Sequence, residues 1–145
     1  MPIHISVDHA LLDLDVIHNF LSTCYWSPGI ARPRLERAIA HSLCWGAYDQ
    51  HADNTTQQVG FARVISDCAT FAYLCDVFVL DSHRGQHVAT KMVKAAINDP
   101  RLTGIRRFCL LTRDAHNVYA PLGFGPLTDP RRYMERLDLE SYKTP

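Results

Sequence analysis

Apolar and polar residues alternate from Ile3 to Val7, the two-residue period of a first strand. Asp15 stands where it can cap a helix whose inner face is Ile17, Phe20, Leu21 and Cys24, and Ser27-Pro28-Gly29 breaks that helix. Pro33 suits the first turn of a second helix carrying Leu35, Ala38, Ile39 and Leu43. Three extended runs follow. Cys44 to Tyr48 and Val59 to Ile65 flank the polar stretch His51 to Gln57, which reads as a hairpin tip. Ser66 to Ala69 turns the chain into Thr70 to Leu80, where Phe71, Tyr73, Val77 and Phe78 favour strand over helix. The alternation slips near Cys75 and Asp76, the mark of a bulge.

Beyond Gly85 the period changes. Ala89, Met92, Val93, Ala96 and Ile97 recur at helical spacing until Asp99-Pro100. Ile105 to Leu111 is a further strand. Asp114 can cap a short helix with Ala115, Val118, Tyr119 and Leu122 inward, stopped by Gly123. Phe124 onward and Arg132 to Leu139 read as closing strands. An antiparallel meander that leads into a strand–helix–strand unit gives an α+β fold with a mixed sheet.

Composition narrows the class. At 145 residues, 47% hydrophobic and 21% charged, the chain fits one globular domain, residues 1–145. Fifteen basic side chains balance fifteen acidic ones, which leaves no electrostatic footprint for nucleic acid or an acidic membrane. No apolar run reaches the length of a membrane span, and residues 1–8 lack a signal-peptide pattern. Five widely spaced cysteines, mostly inside apolar runs, point to reduced thiols in a cytoplasmic protein. His83 and His87 share a spacing of four but have no third ligand nearby, so no metal site is expected.

The chemistry concentrates in residues 76–90, where a strand runs through a short loop containing Gly85 straight into a helix. A helix start presents unpaired N–H groups and a partial positive charge, together a site for phosphate. Gly85 permits a tight turn, Arg84 adds a cation, and Thr90 adds a hydroxyl in the first turn. A plain structural turn accounts for these residues equally well. The pattern is neither a nucleotide P-loop nor a dinucleotide fingerprint.

Arg84-Gly85-Gln86-His87-Val88-Ala89 resembles the signature of the GNAT family of N-acetyltransferases: Arg or Gln, two residues, Gly, one residue, then Gly or Ala. Downstream, Tyr119-Ala120-Pro121-Leu122-Gly123-Phe124 resembles the family's Tyr-x-x-x-Gly-Phe, and the element order agrees over nearly the whole chain. The resemblance implies a three-layer fold with a mixed, mostly antiparallel sheet flanked by helices. It implies acetyl transfer from acetyl-CoA, as co-substrate, to a primary amine of a small molecule or protein by direct attack on the thioester. The backbone at Val77, Phe78 and Val79 would pair with the pantetheine arm like an added strand. Residues Arg84, Gly85, Gln86, His87, Val88, Ala89 and Thr90 would hold the pyrophosphate, and an N–H near Phe78 or Val79 would polarise the thioester carbonyl. His87 departs from the family pattern, which has a glycine there; its side chain either crowds the pyrophosphate, points outward, or when protonated donates a hydrogen bond to phosphate.

By the same resemblance Tyr119 is the acid that protonates the leaving thiolate, although helical spacing alone also explains a core tyrosine. The asparagine frequent in the family before this tyrosine is replaced by Thr112, with Asp114 and Asn117 nearby. Asp76, a charge inside an apolar strand, is a candidate base for the amine; the other reading is a carboxylate bonded to an arginine. Tyr73 and His116 are rival bases. Trp26, in the junction Cys24 to Ile30, either walls the acceptor pocket, with Tyr73, or staples the loop to the core. A CoA-binding sensor or interaction module without catalysis is the alternative. An exposed sheet edge favours pairing into a homodimer.

Overall fold

The computed structural model describes residues 2–145. Five strands form one sheet in sequential order: β1 (Ile3–Ser6), β2 (Leu43–Gln50), β3 (Thr56–Ser66), β4 (Phe71–Val79) and β5 (Arg107–Leu110). All neighbours are antiparallel except β4 and β5. That parallel pair requires a crossover, supplied by α3 (Val88–Ile97). Two helices, α1 (Leu14–Leu21) and α2 (Arg32–Ala40), separate β1 from β2, and a single turn, α4 (His116–Tyr119), follows β5.

The sheet is buried on both faces, which makes three layers. On one face Met92, Val93 and Ala96 of α3 pack on Trp45, Ala47, Val59, Val64, Ala72 and Leu74. On the other, Ile17 and Leu21 of α1 and Leu35 and Ile39 of α2 cover Cys44, Phe61 and Phe78. This explains why β2 and β3 read as continuous apolar runs. The lack of a side chain at Gly60 in β3 allows a close approach: a methyl group there would lie 3.0 Å from Met92 Cε and 3.2 Å from the Phe78 carbonyl oxygen.

Several expectations shift. Asp13, not Asp15, caps α1, accepting from the N–H groups of Asp15 and Val16 at 3.1 and 3.2 Å; Asp15 instead pairs with Arg32 at 2.8 Å. The helix ends at Leu21, before Cys24. Thr23 Oγ1 there donates to the Phe20 carbonyl at 3.0 Å, offering a partner outside the helical ladder. Leu43 belongs to β2, not to α2. Thr112, not Asp114, supplies the side-chain oxygen before α4, accepting from the Ala115 N–H at 3.0 Å.

The expected closing strands do not form. Residues 124–145 carry no strand, only two short 3-10 turns at Pro130–Arg132 and Ser141–Lys143. Pro126 and Pro130 remove backbone donors, and the apolar residues of 132–139 follow no two-residue period that would bury one face. The end of the chain is tied elsewhere: the Ala31 N–H donates to the Tyr142 carbonyl at 2.7 Å, and Arg34 Nε donates to the Thr144 carbonyl at 2.8 Å.

Candidate active site

β4 and β5 are in register from Phe71/Arg107 to Leu74/Leu110 and then part. β4 continues to Val79 with a partner only on its β3 side, leaving the N–H and C=O groups of its other edge free for a ligand strand. The splay opens a cleft of about 1090 Å³. One wall is β4 from Tyr73 to Val79, the other runs from Leu110 to Tyr119, and the start of α3 closes one end.

A bulge shapes the first wall. Phe61 faces Phe78 and Arg63 faces Cys75, so Ala62 alone opposes Asp76 and Val77. Asp76 sits at φ +54°, a left-handed conformation that aspartate tolerates better than most residues. Both carboxylate oxygens are engaged: Oδ2 accepts from Arg63 Nε at 2.8 Å and Oδ1 from Trp26 Nε1 at 3.0 Å. Arg63 is buried and Asp76 partly so, with only about a tenth of either side chain in contact with solvent, a compact ion pair at the floor of the cleft. Asp76 is thus bonded to an arginine, as one of its readings has it, and it also borders the cleft, where the base reading needs it. Arg63 was missed in the sequence, yet a lone charge in the apolar run Val59 to Ile65, beside another lone charge in the next strand, signals such a pair.

The opposite end is the phosphate-type cradle. Arg84, Gly85, His87, Val88, Ala89 and Thr90 line the cleft with Val77, Phe78 and Val79; Gln86 does not. Gly85 has φ +76° and open space where a side chain would point. No side chain caps the start of α3, so its first N–H groups remain free to bind an anion. His83, which also borders the cleft, fastens the loop to β2: its Nε2 meets Asp49 Oδ2 at 2.8 Å, and that bond holds the Asp49 carboxyl below its usual range. Arg84 stays largely exposed, within 3.1 Å of Asp81.

His87 occupies the helix N-cap at φ +60°. A glycine adopts this conformation without a Cβ penalty, which gives a backbone reason for the residue type that the family pattern has there. His87→Gly is therefore expected to leave the fold intact and raise stability by up to about 1 kcal/mol, the left-handed penalty less the entropy glycine adds to the unfolded chain. His87→Val should lower it. Urea denaturation of the three proteins checks the order.

Tyr119 lies on the second wall, half-buried, its ring edge-on to Phe124 at 6.1 Å. Burial, with a smaller contribution from Tyr25, pushes its phenol above the ordinary range, so it stays protonated at neutral pH. Its backbone carbonyl accepts from the Phe124 N–H at 3.3 Å, but its phenol makes no hydrogen bond among the described residues, which leaves the proton available. Of the rivals, Tyr73 faces the cleft with its phenol pushed up by burial to about 12. His116 lines not the cleft but a neighbouring groove along β5. Thr112 and Asp114 border the cleft, while Asn117 does not.

The acceptor side is aromatic. Trp26 answers to both of its readings: it borders the cleft and it is bonded to Asp76. Tyr25 stands edge-on to Trp26 at 5.1 Å and is covered by the Arg113 guanidinium at 3.8 Å. Tyr142 and Leu137, from the terminal segment, complete the rim. Their part was invisible in the sequence because it depends on where the unpaired segment crosses. Cys24 also borders the cleft, but burial raises its thiol to about 11, so little thiolate exists at neutral pH. No group of His, Cys, Asp and Glu among the described residues could hold a metal ion. No helix there is long and apolar enough to cross a membrane.

A mixed sheet splayed at its parallel pair, with an uncapped helix start at the end of the splay, defines an acetyltransferase-type scaffold, and comparison with known proteins agrees. Residues 40–126 match the acetyltransferase (GNAT) domain family. A Gibberella zeae protein described as a candidate acetyltransferase is 31% identical over 133 residues, covering 79% of this chain and 74% of its own. A crystal structure from Xanthomonas campestris, described as a candidate GNAT-family acetyltransferase, is 46% identical, covers 99% of both chains and superposes with a TM-score of 0.90. The Arabidopsis thaliana glucosamine-6-phosphate N-acetyltransferase shares the fold at 13% identity and a TM-score of 0.63. The chain belongs to the GNAT acetyltransferase family.

Proposed function

We propose that the protein transfers the acetyl group of acetyl-CoA to a primary amine by direct attack on the thioester. The observation that carries this reading is the parting of β4 and β5 after Leu74/Leu110, which frees a strand edge between the α3 cradle and Tyr119. In this reading the pantetheine arm lies along Val77, Phe78 and Val79, and the backbone N–H groups from Gly85 to Thr90 hold the pyrophosphate. Arg84 adds a cation. An amide near Phe78 or Val79 draws charge from the thioester carbonyl and steadies the tetrahedral oxyanion.

The amine enters past Trp26 and Tyr73. Asp76 accepts its hydrogen bond; a carboxylate has about four acceptor positions, and Arg63 and Trp26 occupy two. As nitrogen bonds to the carbonyl carbon, its proton passes to Asp76. The carbon–sulfur bond then breaks and the thiolate takes the proton of Tyr119. The weakly acidic Cys24 gives no support to an acetyl-cysteine route. Lacking an unpaired acidic cluster, the cleft suits a small amine, an amino acid or a protein N-terminus better than a polycation. All five cysteines are free thiols, in keeping with a cytoplasmic setting.

Release of free thiol from acetyl-CoA over a panel of amines tests the reading. Amine-dependent release is expected. Tight CoA binding with no release on any amine favours the sensor alternative, and failure to bind CoA rejects both.

A further inference from the structure

We infer, on the basis of the transfer proposed above, that the acceptor is a free aromatic amino acid, with its amino group at Asp76, its ring against Tyr25 and Trp26, and its carboxylate on Arg113. Tyr25 and Trp26 are consecutive residues between α1 and α2, and each is tied to a different wall of the cleft. Trp26 Nε1 donates to Asp76 Oδ1, on β4, at 3.0 Å. The Tyr25 hydroxyl accepts from the Arg113 N–H, beyond β5, at 3.2 Å. One aromatic surface therefore carries a carboxylate at one end and a guanidinium at the other. A ligand that is both an amine and an acid matches that order of charges.

Arg113 is the cation free for this part. The other arginines that border the cleft are committed: Arg63 to Asp76 and the Ser42 hydroxyl, and Arg84 to the cradle beside Asp81. The guanidinium of Arg113 lies over the Tyr25 ring at 3.8 Å. Stacking orients its plane and leaves the N–H groups at its edge open. Its side-chain partner among the described residues is Asp114 at 3.4 Å, in an exposed pair that is worth little. The remaining donors can take both oxygens of a carboxylate.

The rings supply the rest. Tyr25 and Trp26 are 48% and 38% exposed, although both are held by the bonds above and stand edge-on to each other at 5.1 Å. Bare aromatic faces fixed at the rim of a cleft gain from being covered by another ring. Tyr73 borders the same space. A protein N-terminus fits less well: a peptide carbonyl replaces the carboxylate beside its amine, and the charge of Arg113 goes unanswered.

Thiol release from acetyl-CoA with phenylalanine, phenylalaninamide, phenethylamine and alanine tests the inference; the amide stands for a peptide N-terminus. Phenylalanine should exceed the amide and phenethylamine in kcat/KM by about 10- to 100-fold, as expected for hydrogen bonds to a charged group. It should exceed alanine by about the same factor through its ring. Arg113→Gln should abolish the preference for acid over amide, chiefly through KM, with an unchanged circular dichroism spectrum. Binding can be read apart from turnover. The chain has two tryptophans and Trp45 is buried, so phenylalanine should change Trp26 fluorescence saturably in the CoA-bound protein, and the amide only at far higher concentration. Thiol release without preference for phenylalanine, or a preference that survives Arg113→Gln, overturns the inference and leaves the transfer reading standing. Arg113-dependent binding of phenylalanine without thiol release from any amine refutes transfer and keeps the ligand. Phenylalanine that neither binds nor releases thiol overturns the inference.

Discussion

Tyr119→Phe should reduce kcat by about 10²- to 10⁴-fold, the range for losing a positioned acid, while CoA binds as before. The substitution removes one oxygen and leaves the ring against Phe124. A residue serving only to pack would show almost no change, so near-normal turnover excludes the acid role. The pH profile separates the two further. Burial raises the phenol of Tyr119, and a general acid works in its protonated form. Its deprotonation therefore belongs above pH ~10, the ordinary phenol value. In the wild type, no loss of rate traceable to Tyr119 is expected between neutral pH and that point. Measurement of kcat against pH in both proteins, with acetyl-CoA saturating, checks the assignment.

The second large effect concerns stability. Asp76→Asn is expected to cost about 3–5 kcal/mol, because it leaves the buried Arg63 guanidinium without a counter-charge. Asparagine keeps the tolerance for φ +54° and the shape of the side chain, so backbone strain does not confuse the result. Arg63→Met/Asp76→Asn should recover most of the loss, since replacing the charge removes the buried orphan. Urea unfolding of wild type, single and double variants measures this. A single-variant loss under about 1 kcal/mol would mean that water or a neighbour already screens the pair.

Much of this architecture was legible in the chain. The helical period after Gly85 located α3, and the slipped alternation at Cys75 and Asp76 located the bulge that shapes the cleft floor. These features are local: each follows from the spacing of a few neighbouring side chains. The partners of Asp76 were legible only in part: an arginine was one reading, but that it is Arg63, with Trp26 on the other oxygen, depends on residues 13 and 50 positions from Asp76. The terminal segment misled for another reason. Tyr133, Leu137 and Leu139 have strand-type composition, but a strand exists only where a second edge accepts its hydrogen bonds. The family pattern likewise made His87 look like a steric question at the pyrophosphate, whereas its backbone angle shows why that position favours a residue without a Cβ.

Gly60 has a reach well beyond its own strand. It lies beneath α3 through Met92 and beside β4 through the Phe78 carbonyl, with less than a methyl group of slack toward either. In the proposed function those two elements hold the opposite ends of acetyl-CoA. A single hydrogen atom in place of a side chain thus acts as the spacer of the whole instrument. It sets how far the start of α3 stands from the free edge of β4, from a position that lines neither.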